Sequence, residues 1–226
     1  MPRSKRNKVI ALTKVKKGDN KERKDGLIER IQDAVEKYQH VMLLRVENQK
    51  NELVKQVRQK FKSNGLVFMG NNNVMRLALG TDSDSEIADK IAHLGEKIGG
   101  ECALLCTDAS PAEAQRYFLE LQEATFAKSG AAASETFTIP KGELNLPFSM
   151  EQHLRSCGLP TQLRDGKIIM LADHTVCHEG RALTVDQAQV LKLLGRKTSI
   201  FRMTPTGLWS KTETGGSYKN LGNNCI

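Results

Sequence analysis

The sequence predicts an α/β protein: a layered α/β domain interrupted by a small inserted α+β domain. Three observations carry this. Short apolar runs alternate with helix-period segments from residue 25 to about residue 121, the pattern of strands and helices packed in layers. The texture changes at Ser129–Ser134, a small, unpatterned stretch, and the elements beyond it are short. Two apolar runs return near the end, at 199–203 and 207–210, where they can rejoin the first sheet. The implied organisation is a basic tail over 1–24, a discontinuous α/β domain over 25–133 and 196–226, and an insert over 134–195.

In chain order, Leu27, Ile31, Ala34, Val35 and Tyr38 recur at helical spacing and predict an amphipathic helix over Asp25–Tyr38. Val41–Val46 reads as a strand. Asn48 is placed to cap a helix with the apolar stripe Leu53, Val54, Val57 and Phe61. The other face of that helix carries Lys50, Lys55, Arg58, Lys60 and Lys62, either a surface for nucleic-acid backbone or plain solvated surface. Leu66–Met69 is a buried strand that runs into Gly70-Asn71-Asn72-Asn73 and then the short helical pattern Val74–Leu79. Ile87, Ile91, Leu94 and Ile98 mark another helix ended by Gly99-Gly100. Cys102–Cys106 is a buried strand, and Ser110-Pro111-Ala112-Glu113 reads as a capping box opening a helix through Leu121.

In the insert, Thr136–Ile139 is a strand, and Ser149–Gln152 caps a helix that Gly158 ends. Asp165-Gly166 between Gln162–Arg164 and Lys167–Met170 is the strongest short hairpin signal in the chain. Thr184–Gln187 is a capping box with Val185, Ala188, Leu191 and Leu194 behind it. Trp209, the single tryptophan, is expected to anchor a core or a sheet edge.

Charge is unevenly placed. The net charge is +8, and the first 24 residues hold ten Lys/Arg against Asp19 and Glu22. The remaining 202 residues, with 24 basic and 24 acidic side chains, sum to zero, so the excess belongs to the tail. A basic tail on a neutral body suggests a polyanion partner, nucleic acid first, although a solubilising or targeting tail has the same composition. No apolar run approaches a membrane span or a signal-peptide core, so a soluble chain with no membrane partner is expected, its lysine clusters serving for nuclear import. Five cysteines at irregular spacing read as reduced thiols of an intracellular protein.

Catalytic motifs are missing: no GxGxxG, Walker loop, HExxH or GxSxG occurs. Asp82 and Asp84 sit among cap-forming neighbours, and His93 and His153 lie on expected helices. His174, Cys177 and His178 are close in sequence but no CxxC pair accompanies them. A non-enzyme with no cofactor and no metal is expected. The corner after Leu66–Met69 presents backbone N–H groups and amides near a helix N-terminus, where anions are favoured. It is a candidate RNA-phosphate site, although an ordinary strand-to-helix turn has the same local sequence.

Several segments together carry a resemblance: Met1–Arg6, Gly70–Gly80, Ser149–Arg155, Gly158–Thr161, Val176–Gly180 and Leu183–Gly195. In this order, over nearly the whole chain, they resemble the mRNA turnover protein 4 family of ribosome assembly factors, relatives of the P-zero (bacterial L-ten) stalk-base proteins. The resemblance implies an α/β domain on large-subunit rRNA at the stalk base of the pre-large ribosomal particle, beside the L11-type ribosomal protein. It also implies an insert ahead of the final strands, and displacement by the mature stalk protein with a phosphatase-type release factor. The implied location is the nucleolus and nucleus, with shuttling to the cytoplasm left open. The alternative is a mature stalk component or a general RNA-binding protein in mRNA turnover.

The RNA-binding residues expected on these grounds are Lys5, Arg6, Lys8, Lys14, Lys16 and Lys17 in the tail, Arg58, and the corner Gly70, Asn71, Asn72, Asn73 and Arg76. The family corner has a pattern like G-K-N-K, whereas Asn71 and Asn73 stand at its lysine positions here. Charge contact there is weakened, and the tail is expected to carry more of the electrostatic work. Mature stalk proteins continue with further helices and an acidic end, which this sequence does not show, as a placeholder would not need them.

Overall fold

Helix α1 (Asn20–Lys37) begins five residues ahead of the expected Asp25, because Lys21–Lys24 are good helix formers with no apolar residue for periodicity to register. The structure, a computed structural model, describes residues 20–81, 85–213 and 215–222. The expected contacts of Lys5, Arg6, Lys8, Lys14, Lys16 and Lys17 lie outside the described residues. After α1 come β1 (His40–Glu47), α2 (Asn51–Lys60), β2 (Gly65–Phe68), α3 (Asn72–Leu79), α4 (Ala92–Glu96) and β3 (Cys102–Thr107). Next are α5 (Pro111–Glu120), β4 (Gln122–Thr125), β5 (Phe137–Ile139), β6 (Gly142–Leu144), α6 (Glu151–Ser156), β7 (Thr161–Arg164) and β8 (Lys167–Met170). The chain closes with β9 (His174–Cys177), α7 (Val185–Leu193), β10 (Ser199–Thr212) and β11 (Gly215–Asn220). The α/β class expected from the sequence is the one observed.

The chain divides into two compact units. The first takes in residues up to Leu43, Phe61–Ala109 and the end of the chain from Thr206. Its sheet path runs β11-β10-β1-β3-β2, with β2–β3 and β10–β11 antiparallel. Val41 and Leu43 of β1, with Cys102, Leu104 and Cys106 of β3, point into one cluster with Ile31, Val35, Met75, Leu79, Ile91 and Leu94 from α1, α3 and the α4 region. The intervening residues Met42, Ala103 and Leu105 are buried too, so these strands are covered on both faces. That is why they read as continuous apolar runs.

Trp209 is 1% exposed and donates its indole N–H to the Asp89 carbonyl at 2.9 Å. It is a core anchor, as expected. A Cβ on Gly216, which pairs with Lys211 across the ladder, would overlap that same carbonyl and the indole nitrogen, so only glycine fits there.

The second unit takes Leu44–Lys60 and Ser110–Pro205. Its core gathers Ile139, Leu154, Leu159, Ile168, Met170, Val176, Leu183, Val190 and Leu191. The Asp165-Gly166 turn forms as expected, with φ of 49° and 76°, the left-handed pair of a type I′ hairpin between β7 and β8. The Thr184–Gln187 capping box also forms, with both reciprocal bonds in place.

Other expectations are corrected. Asn48 does not cap α2; it turns the chain at φ 52° and its amide donates to the Ile200 carbonyl at 2.8 Å. The expected helix over 87–98 shrinks to α4, because Lys90 is left-handed at φ 63° and the Glu86 carboxylate accepts the Lys90 and Ala92 N–H groups. Ser110 precedes α5 without a side-chain cap bond, and Ser149 lies in a 3-10 turn ahead of α6 instead of capping it. The two expected C-terminal strands are one 14-residue strand, β10. Residues 199–202 pair with β4 and 207–212 with β11, so Pro205, which has no N–H to donate, falls between the two ladders. Strands β4, β6, β9 and β11 are too short or too polar to stand out in the sequence.

Replacing Gly216 with Ala should force Trp209 and Asp89 apart at a cost of about 1–3 kcal/mol. A thermal melt is expected to show the midpoint falling by several degrees. An unchanged midpoint would mean that the indole–carbonyl contact is not a constraint.

Candidate nucleic-acid interface

The corner after β2 is built from its own asparagines. Asn71 takes the N-cap of α3 with φ −70° and ψ 127°, and its Oδ1 accepts the Asn73 N–H at 2.9 Å. Asn72 looks the other way: its amide donates to the Gly100 carbonyl at 2.9 Å, and its oxygen accepts the Cys102 thiol at 3.3 Å. One turn further on, the Arg76 guanidinium donates to the Ile98 carbonyl at 2.7 Å, while its Nε–H is buried without a partner. These bonds pin the start of α3 to the loop that leads into β3. Burial raises the Cys102 thiol, partly offset by a backbone hydrogen bond from Gly99 and by the Arg76 charge. Cys106, deeper in β3, is pushed up to about 12 by burial.

Gly70, Asn71, Asn72, Asn73 and Arg76 are therefore brought together in one place, with different tasks. Asn71, Asn72 and Arg76 already spend side-chain donors or acceptors on the fold. Asn73 is exposed, and the first-turn N–H groups of an α-helix have no intrahelical partners, which makes this helix start a candidate for anion contact. Arg58 lies in the second unit, exposed on the polar face of α2 with Lys55 and Lys60.

The structure adds cations that the expected set lacks. A Cβ on Gly70 would meet Leu27 of α1, so α1 crosses directly beside the corner. Arg23, Lys24 and Arg30 stand three or four residues from Leu27, one helical turn away, and all are exposed. The lysines missing from the corner itself thus have neighbours on a different helix. Sequence reading counted Arg23 and Lys24 only as tail charge, since nothing local shows that the helix begins at Asn20. Among the described residues no group of three or more His, Cys, Asp or Glu is placed to hold a metal ion.

Comparison with known proteins gives this arrangement its family. Residues 19–123 match the family described as "Ribosomal protein L10", and residues 127–195 match the insertion domain of the 60S ribosomal proteins of that family. Ribosome assembly factor mrt4 of Dictyostelium discoideum is 36% identical, covering 94% of this chain and 95% of its own length. The chain belongs to the mrt4 family of ribosome assembly factors. The Neurospora crassa mrt4 is 33% identical over 93% of this chain and 90% of its own. The large ribosomal subunit protein uL10 of Methanopyrus kandleri is 25% identical over 74% of this chain, which spans 47% of that protein. The chain is thus similar to a uL10 protein over part of its length, and these mrt4 relatives align with it nearly end to end.

Three variants separate ligand contact from architecture at this corner. Asn72→Ala and Arg76→Ala remove fold bonds and should each cost about 1–2 kcal/mol, seen as a drop of several degrees in the melting midpoint. Combined Arg23→Ala, Lys24→Ala and Asn73→Ala should leave the midpoint in place and weaken binding of a large-subunit rRNA fragment about tenfold. Loss of affinity in Asn72→Ala with an unchanged midpoint would reassign that amide to the ligand.

Proposed function

We propose that this chain occupies the stalk-base rRNA of pre-large ribosomal particles and holds the site until the mature stalk protein replaces it. The observation that carries the reading is the near end-to-end match to mrt4 assembly factors together with a partial match to uL10. A protein that shares the RNA-facing domain of a stalk protein can fill the same site. The α3 corner, the α1 cations and the tail lysines Lys5, Arg6, Lys8, Lys14, Lys16 and Lys17 form the RNA-facing set, with Arg58 of α2 a further phosphate contact. In this division of labour, residues 25–133 and 196–226 carry the RNA and residues 134–195 form the insert.

Folded RNA offers shape, phosphates and 2′-hydroxyls, and this set suits them. Backbone N–H groups and an amide at a helix start can cradle a phosphate without a local charge, while flanking Arg and Lys supply attraction. The proposed neighbours are an L11-type ribosomal protein on the same RNA and a phosphatase-type release factor at the exchange step. The proposed location is the nucleolus and nucleus. Nothing in this role calls for catalysis: displacement needs competing contacts at one RNA site.

In gradient sedimentation the protein is expected with nuclear pre-large particles and absent from polysomes. Persistence in polysomes would make it a working stalk component, and sedimentation with neither would favour mRNA turnover. If about five phosphates are neutralised, log affinity for the stalk-base RNA should fall with log salt at a slope of about −3.5 to −4.5. A slope near zero would remove the electrostatic part of the reading.

A further inference from the structure

A groove of about 750 Å³ lies within the second unit, formed by the segment leading into α2, by residues 125–129 and by one face of α7. Part of its lining is apolar: Phe126, Ala127, Ala188 and Val185, which opens α7 and is 65% exposed. Another part is basic, with Lys128 and Lys192 both exposed. Lys50 pairs with Glu52 at 2.8 Å and, by hydrogen bond and charge, holds that carboxyl below its usual range. Three lysines against one glutamate leave the lining at +2.

Amides are part of the lining as well. Asn48 spends its amide nitrogen on the Ile200 carbonyl, which leaves its oxygen to accept. Gln189 shares a 2.7 Å hydrogen bond with His153, and Gln49 also lines the groove. A lining that combines an aromatic ring, amides and ammoniums suits the three parts of a nucleotide: ring for base, amides for base edge, lysines for phosphate. The volume lies in the range of sites that enclose small ligands, about 300–1,000 Å³, and has room for a short unpaired run. An acidic peptide would satisfy the lysines but leave Phe126 and the amides unused.

We propose that this groove is a second RNA site, taking about two unpaired nucleotides of single-stranded RNA. The proposal rests on the reading of the chain as an RNA-binding factor, and it uses none of the residues of the α3 corner. With two phosphates neutralised, its salt slope should be about −1.4.

The test uses the full chain, labelled with ¹⁵N and titrated with a trinucleotide carrying two phosphates. The backbone amides of 126–129 and 185–192 are expected to shift in a saturable way. The double variant Lys128→Glu and Lys192→Glu should raise the dissociation constant at least tenfold and flatten the salt slope. Val185→Glu is a second probe: an acid in the first turn suits the helix dipole, so α7 is kept while the lining gains a repelling charge. It should also weaken binding about tenfold. Shifts confined to other segments, an unchanged dissociation constant in both variants, or equal shifts with triglutamate would overturn the groove as an RNA site. Groove binding by a chain that stays in polysomes would overturn the assembly reading alone. Particle association with no groove response would overturn the groove alone.

Discussion

Strands β1 and β3 bury side chains at consecutive positions, and that double burial shapes everything around them. A strand covered on both faces has no polar face to offer, so chemistry is displaced to its ends and to the outer surfaces of its helices. The α3 corner is such an end. Its asparagines serve the fold first: one caps the helix, one ties it to the loop before β3, and Arg76 adds a second tie to that loop. Asn71 and Asn73 remain exposed, with the Asn73 side chain uncommitted to these ties.

This partition changes how the departure from a lysine-bearing corner reads. Lysines at positions 71 and 73 would present charge but could not provide the Asn71 cap. Asparagine keeps the backbone geometry, and in the proposed site the charge would come from α1, where the exposed Arg23, Lys24 and Arg30 flank Leu27. Phosphate recognition and helix capping ask for the same local resource, polar atoms at a helix start. Placing cations on a neighbouring helix lets both be met.

The second unit follows a different logic. Its sheets are short, and its core is held by turn and cap chemistry, chiefly the Asp165-Gly166 hairpin and the Thr184 box. Such elements fix α7 with Val185 facing out instead of inward. The apolar residue there is spared from the core by its place ahead of the buried Val190 and Leu191. The groove beside it is framed by the turn at Asn48, by the end of β4 and by α7.

The sequence by itself determined the features whose causes are local. Consecutive apolar residues marked the strands that are buried on both faces, Asp-Gly marked a left-handed turn, and Thr184 with Gln187 marked a cap. The resemblance to the stalk-base family was legible because its motifs run in order along the chain. Tertiary structure decided what depends on residues far apart. Glu86 truncates α4 by accepting N–H groups that a helix would have used, and Pro205 falls in the gap between the ladders that β10 makes with β4 and β11. Most of all, it decided the corner. The sequence shows a glycine and three asparagines at a helix start, which fits a turn or a phosphate site. Only the positions of Ile98, Gly100 and Leu27 show which amides are spent on packing and which helix lies beside the corner. Hydrogen bonds across 22 to 30 residues leave no local pattern to read.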